Sequence, residues 1–527
     1  MRKVNSWKDL TLREKIGQTV ISLQEKDKHI EMCGSIEAFL EKYPIGGLFN
    51  NTGIVKGLMV GNNLNFGDTI SEYNKYLKVP MFATADYGSY ATQFGLELPP
   101  QMAMGAANSE EFAYNAGEFE AEDSKKTGIN WLFWPVCDLS ISNRSPVNDI
   151  RSVSDKSELN VKIVKEELRA MKDRGVISTL KHYPGYPYDD NIDSHIAMTD
   201  NETPIDIWRN TYGKMYKELF KQNPPAIMTA HMNLVNYQTE KADGVYPPAT
   251  LSYELTTNLL RKELGFKGVT VTDALVMGGF AGNQAVEKCI ESFLAGNDIL
   301  LWPAYEYIDE MEKRILSGEI EEKRLDEAVE RIWNLKEEYG ILDCEDKTSA
   351  ADEKYFTDIV EKISDKYLTL INNYNNLLPL DKSAVKKVLI VGVTPDNSQY
   401  EDMCALKSEF EKYNCTVKMQ RNAWTDEIEA AKDEYDLILF ALCRTPHHPI
   451  GPIDFWGEEA TSLWASNCSD KSKTVVASFG SPYVYKYYKA SGVTYVNAYT
   501  AQKRTISAFV RTLFGDGEFL GKSSIEL

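Results

Sequence analysis

From residue 16 to about 303, short apolar runs rich in β-branched residues recur, each followed by a polar or Gly-rich turn and then a longer stretch of helical period. The runs are IGQTVISL (16 to 23), IGGLFN (45 to 50), MFATAD (81 to 86), INWLFWPVCD (129 to 138), VISTLKH (176 to 182), PAIMTAH (225 to 231), GVTVTD (268 to 273) and DILLWP (298 to 303). Between them lie charged amphipathic segments such as EELRAMKDR and TNLLRKEL. Strands with no polar face, alternating with helices, call for a parallel sheet covered on both sides. Eight such units in roughly 300 residues match a (β/α)8 barrel in count and size. After LDCEDKTSAADEK the pattern changes. A helix over DIVEKISDKYLTLI and a polar connection, NNYNNLLPLD, lead to a second series of strands: KKVLIVGV, CTVKMQR, YDLILFALC, SKTVVASFG and VTYVNAY. Fewer strands with helices between them predict a doubly wound, three-layer α/β/α sandwich. The expected division is a barrel over 1–345, a linker with a helix over 346–384 and a sandwich over 385–527.

The strand ends carry chemistry. Asp86, Asp138, Lys181 with His182, His231 and Asp273 each fall at or just past the carboxyl end of an apolar run. In a barrel these ends gather at one mouth, where active sites are built. Any one of them reads as readily as a solvated turn. Five strands of eight ending this way weaken that reading and make Asp138 and His231 substrate-binding candidates along with the others.

Asp273 closes a strand buried along its length and can serve as nucleophile, general base, ligand or helix cap. The stretch KHYPGYPYDDNIDSHIAM (181 to 198) adds a second centre. In Asp193-Ser194-His195 an extended backbone would set Asp193 and His195 on one side. The carboxylate would then hold one imidazole nitrogen and leave the other to exchange a proton. Lys181 and His182 are better used as donors to hydroxyl groups, and Pro184-Gly185 turns the chain directly after them. Asp138, His182, His195 and His231 could also ligate zinc. The absence of an HExxH pair or Cys-rich spacing, and a lysine that would repel a dication, count against it. No metal and no other cofactor is expected.

Composition narrows the partners. The formal charge of −20, from 58 basic and 78 acidic residues, comes without any cluster of Lys and Arg interleaved with aromatics. Nucleic acid and an anionic membrane surface are therefore poor partners. The N-terminal MRKVNSWKDLTLREKIGQ has no apolar run of the signal-peptide kind, and no stretch reaches the length of a membrane span. Eight cysteines are scattered without CxxC spacing, several in apolar runs where a reduced thiol packs well, so a cytoplasmic location is expected.

Lys181-His182-Tyr183-Pro184-Gly185 followed by Asp193-Ser194-His195 is similar to a K-H-F-P-G-H-G…D-S-H pattern, and GFKGVTVTDALVM to a G-F-x-G-x-x-x-T-D-x-L-x-M motif. The chain thereby resembles glycoside hydrolase family 3, in particular its β-N-acetylglucosaminidase branch in the two-domain form. Further likeness runs through LTLREKIGQ, LPPQMAMGAA, IMTAHMNL, PPATLS, AGNDILLWP, NNLLPL and VVASFGSPY. The resemblance implies a retaining, two-step exo-β-N-acetylhexosaminidase. Asp273 would be the nucleophile and Asp193 with His195 the acid/base pair, while Asp86, Arg151, Lys181 and His182 would hold the terminal sugar. It implies a carbohydrate partner and leaves a homodimer open.

Two departures bear on the sugar. The family's D-x-E-G-G-x-V-x-R-F stretch is here DYGSYATQF, with Gln93 where an arginine is expected, and the second histidine of K-H-F-P-G-H-G is Tyr186. Three alternatives follow: a β-glycosidase of different sugar specificity, a phosphorylase in which phosphate replaces water, and a barrel that binds carbohydrate without turning it over. A neutral imidazole beside the acceptor would repel phosphate less than a carboxylate would. The loop CRTPHHPIGP, with Arg444, His447 and His448, reads as a substrate-facing lid or a Pro-rich surface loop, the latter preferred.

Overall fold

Eight parallel strands close the first half of the chain into a barrel: β1 (Val20–Leu23), β2 (Gly47–Phe49), β3 (Phe82–Ala85), β4 (Trp131–Leu132), β5 (Thr179–Tyr183), β6 (Ala226–Thr229), β7 (Val269–Thr272) and β8 (Leu300–Leu301). The structure is a computed structural model. It describes residues 3–50, 65–86, 96–188, 192–280, 285–343, 353–395, 397–445 and 454–527, and the backbone of 54–55 and 58–59. The strands pair in chain order, and β8 returns to β1 through Val20 with Leu300. Single parallel bridges, Trp131 with Ile177 and Val271 with Ile299, complete the ring.

Each strand is apolar throughout, yet its alternation sorts the side chains. Ile21, Phe49, Phe82, Trp131, Met228, Val271 and Leu301 fill the barrel interior. Val20, Leu48, Ala83, Leu132 and Leu300 pack outward in the layer beneath the helices. All eight expected strands are present, some shorter than the runs that announced them. β4 stops at Leu132, within INWLFWPVCD, because Pro135 has no N–H for the ladder. β8 stops at Leu301, where Trp302 takes a left-handed φ of 58°.

The second half is a six-stranded sheet of β9 (Thr369–Asn372), β10 (Lys387–Val393), β11 (Thr416–Arg421), β12 (Leu437–Leu442), β13 (Thr474–Ser478) and β14 (Thr494–Asn497), in the order 9-14-13-12-10-11. All neighbours are parallel except β9, which runs antiparallel to β14. The helix expected over DIVEKISDKYLTLI ends at Ser364, and its last residues instead begin β9. Threonine and isoleucine in LTLI favour a pleated edge once β14 offers Val496 and Asn497 as partners. Part of the expected 346–384 linker is therefore sheet. The two halves meet on a shared apolar core and through hydrogen bonds such as Gln502 Nε2 to the Leu98 carbonyl at 2.8 Å. Tyr483 also donates to the carbonyl of Ser140, just past the mouth residue Asp138. No helix among the described residues is long and apolar enough to cross a membrane.

Three helices matter below the barrel wall: α1 (Glu110–Lys126), capped by Ser109, α2 (Ser157–Asp173), and α3 (Glu353–Ser364), whose Phe356 packs edge-on against Phe119 of α1. Between α1 and α2 lie two buried carboxyls, Glu120 and Glu167, the second taking a hydrogen bond from Gln101 at 2.8 Å. Burial, and then the charge of Glu167, raise Glu120 well above its ordinary value of 4.5. Burial raises Glu167 to about 8 against the pull of Gln101 and Trp134. The native state thus holds protons that the unfolded chain releases above about 4.5. The pair's contribution is full at acid pH and is lost as pH rises towards 8. Urea unfolding of Glu120→Gln should show a flatter fall in stability between pH 5 and 8 than the parent; parallel curves would contradict the raised pKa of this carboxyl.

Candidate active site

Asp273 follows β7 directly, at the barrel mouth. Its N–H donates to the Thr229 carbonyl at 2.8 Å, one step past the β6 ladder, and its Oδ1 accepts from Ala274 N–H, also at 2.8 Å. Burial pushes the carboxyl up, but the imidazoles of His182, His231 and His195 and the Ala274 N–H favour the anion and hold it below the usual range. The cap-like bond goes to the adjacent residue and opens no regular helix. A turn and the short 3₁₀ segment Gly278–Phe280 follow.

Asp193 and His195 meet as expected, by a different local route. The backbone is a tight turn rather than extended, with Ile196 N–H and Ala197 N–H both returning to the Asp193 carbonyl at 2.9 and 3.1 Å. One carboxylate oxygen, Asp193 Oδ1, takes the backbone N–H of His195 at 2.9 Å and its Nδ1 at 2.6 Å. An aspartate that bonds the N–H two residues on is an Asx-turn, and it fixes the ring together with the chain. The Asp193 side chain is buried while the His195 side chain is 37% exposed. With Nδ1 engaged, proton exchange with a substrate falls to Nε2.

A second aspartate–histidine pair sits deeper. Asp138 Oδ2 accepts from His182 N–H at 3.0 Å and lies 2.7 Å from His182 Nδ1. Burial lifts Asp138 to about 7, opposed by the His182 N–H and Arg151. Burial, reinforced by Lys181, keeps His182 well below its ordinary value and hence neutral. With Nδ1 engaged by Asp138, Nε2 is the ring atom through which His182 would meet a hydroxyl. Lys181 Nζ lies 2.5 Å from Asp86 Oδ1. Burial lowers its pKa, with Asp86 opposing and Arg151 adding to the effect. Arg151 closes a 3₁₀ turn, Asp149–Arg151, near enough to act on Asp138, Lys181 and His182. Asp86, Arg151, Lys181, His182 and Asp138 thus form one connected polar group. Asp138 stands behind His182 with no exposed surface, bonded to both the N–H and Nδ1 of that residue.

The reading of His231 is corrected. Its Nδ1 lies 3.1 Å from Thr250 Oγ1, and its Nε2 lies 2.9 Å from the Ala274 carbonyl. A carbonyl only accepts, so Nε2 carries the proton and both nitrogens serve the protein. His231 therefore braces the backbone next to Asp273 and does not hold substrate. Thr250, within the PPATLS stretch, carried no recognisable role in the sequence because its partner lies 19 residues away. The three histidines weighed as zinc ligands with Asp138 have their Nδ1 atoms committed to Asp138, Asp193 and Thr250. Among the described residues no group of three or more His, Cys, Asp or Glu is placed to hold a metal ion. Gln93, His447 and His448 lie outside the described residues. Arg444 pairs at 3.9 Å with Glu459 inside the sandwich.

Residues 11–335 match the family described as Glycosyl hydrolase family 3 N terminal domain. A beta-N-acetylglucosaminidase/beta-glucosidase of Cellulomonas fimi is 26% identical over 342 residues, covering 61% of this chain and 60% of that protein. The chain thus spans less than two thirds of that relative's length. Two solved structures share the fold over 98% of the chain. A beta-glucoside phosphorylase, BglX, has a TM-score of 0.83, 22% identity and 95% of its own length covered. A glycoside hydrolase family 3 beta-N-acetylglucosaminidase from Paenibacillus sp. str. FPU-7 has a TM-score of 0.79, 24% identity and 99% of its length covered. At these identities the two structures bear on the fold alone.

Proposed function

The chain belongs to glycosyl hydrolase family 3, and from that premise we propose that it is a retaining, exo-acting β-N-acetylhexosaminidase. The observation that carries the reading is Asp193 Oδ1 holding both the N–H and Nδ1 of His195, on a loop tied to the segment that follows Asp273. In the first step a carboxylate oxygen of Asp273 attacks the anomeric carbon. The glycosidic C–O bond breaks, and the departing oxygen takes the proton from His195 Nε2. In the second, Nε2 accepts a proton from water as the water oxygen attacks the same carbon and releases Asp273. The buried carboxylate of Asp193 stabilises the imidazolium that donates in the first step and re-forms in the second, the ring being a neutral base in between. Lys181, Asp86 and Arg151 would bind sugar hydroxyls, with His182 meeting one of them through Nε2. The name carried by the Cellulomonas relative supports an amino sugar or glucose in this position.

A second reading keeps every residue role and replaces water by phosphate, leaving sugar 1-phosphate. The acid/base is an imidazole rather than a carboxylate, so an anionic acceptor meets less repulsion. Cytoplasmic location is part of the proposal and is supported by seven described cysteines that are all free.

One panel tests these readings: aryl β-N-acetylglucosaminide, β-N-acetylgalactosaminide and β-glucoside, each with and without inorganic phosphate. Hydrolysis of the N-acetylglucosaminide to free sugar is expected. Phosphate-dependent sugar 1-phosphate selects the second reading, and cleavage of the glucoside alone shifts the specificity. No turnover of any of the three contradicts both readings and favours a barrel that only binds.

A further inference from the structure

The loop bearing His195 is gripped from two sides. On one side the Tyr186 hydroxyl lies 2.7 Å from Ser194 Oγ. Tyr186 is itself buried and fixed before it reaches the loop. Its carbonyl accepts from Tyr212 OH at 3.0 Å, and its ring meets that of His182 edge-on with centroids 5.8 Å apart. The chain arrives there through Gly185, at a φ of 101°, where a Cβ would stand 2.3 Å from the Tyr212 ring. On the other side, Gly278 N–H donates to the His195 carbonyl at 2.9 Å and Gly279 N–H to the Ser194 carbonyl at 3.2 Å. A Cβ on Gly278 would lie 2.1 Å from the Ile196 carbonyl oxygen, and one on Gly279 2.3 Å from that of Ser194. The close approach of the two loops therefore requires the glycine pair. Because Gly278 is five residues past Asp273, this contact fastens the acid/base turn to the segment that begins with the nucleophile.

Resting on the glycosidase reading above, we propose that Tyr186 is a positioning residue for proton transfer, its phenol fixing, through Ser194, where His195 stands relative to Asp273. The residue sits where the resembling pattern carries histidine. Its reach to Ser194 gives it a task on the acid/base loop. Proton transfer depends on donor–acceptor placement within a few tenths of an ångström, so a loosened turn slows the steps that need the proton and spares those that do not.

Tyr186→Phe removes only the hydroxyl and keeps the ring beside His182. Against a methylumbelliferyl β-glycoside, whose leaving oxygen needs protonation, kcat/KM should fall by about 10- to 100-fold. Against a dinitrophenyl β-glycoside, which departs without help, the fall should stay under about threefold. Ser194→Ala should reproduce this split, and the double variant should be no worse than either single one. Equal losses on both substrates, no loss on either, or additive losses in the double variant overturn the proposal. If the parent turns over neither substrate, the glycosidase reading fails and the inference falls with it. Thermal midpoints report folding, and where Tyr186→Phe does not fold, Ser194→Ala alone carries the test.

Discussion

Asp273→Ala is expected to lose activity on aryl β-glycosides by on the order of 10⁴-fold or more, the scale seen when a covalent nucleophile is deleted. Asp273 keeps its backbone bond to Thr229 whatever its side chain, and the lost side-chain partner is one N–H of Ala274. The fold should therefore survive at a cost of about 1 kcal/mol, and the loss should appear in kcat. The space vacated by the carboxylate admits a small anion. Added azide should attack the anomeric carbon from that face, expel the aryl alcohol and give a glycosyl azide of inverted configuration. A variant that keeps more than about a tenth of parental kcat/KM is incompatible with a nucleophile at this position. A variant that unfolds contradicts the expectation that the fold survives the loss of this side chain.

His195→Ala should lose about 10²- to 10⁴-fold on substrates with poor leaving groups. With a dinitrophenyl glycoside the first step needs no acid, so the glycosyl-enzyme should form rapidly and accumulate, giving a burst followed by slow release. Asp193→Ala should show the same pattern more weakly, since the imidazole remains but loses the oxygen that holds both its Nδ1 and its N–H. A uniform loss across leaving groups, with no burst, would assign His195 to binding instead.

Much of the barrel was legible because burial on both faces leaves strands with no polar position, and the eight runs needed only counting. The ends of those strands were less readable, since Pro135 and the left-handed Trp302 stop the ladder inside apolar sequence. LTLI serves a helix or a strand equally well until a neighbour is known, and only pairing with β14 makes it an edge. Within the site the residue types were visible and their bonds were not. Asp193 and His195 stand close enough in sequence to predict contact, although an Asx-turn rather than an extended chain brings it about. His231 was misread because Thr250 and the Ala274 carbonyl reach it only through the fold. The Nδ1 partner of His182, Asp138, comes from the end of a different strand. Tyr186 looked like a mere departure until its hydroxyl was found against Ser194.

The central claim is a covalent bond between sugar and Asp273. Incubation with a slow 5-fluoro β-N-acetylglucosaminide, followed by intact mass measurement and peptide mapping, tests it directly. The account predicts a mass increase of one glycosyl residue, confined to the peptide containing GVTVTDALVM, carried on Asp273 and lost on addition of an acceptor. Turnover with the label on another carboxylate, or turnover with no covalent adduct, would contradict it.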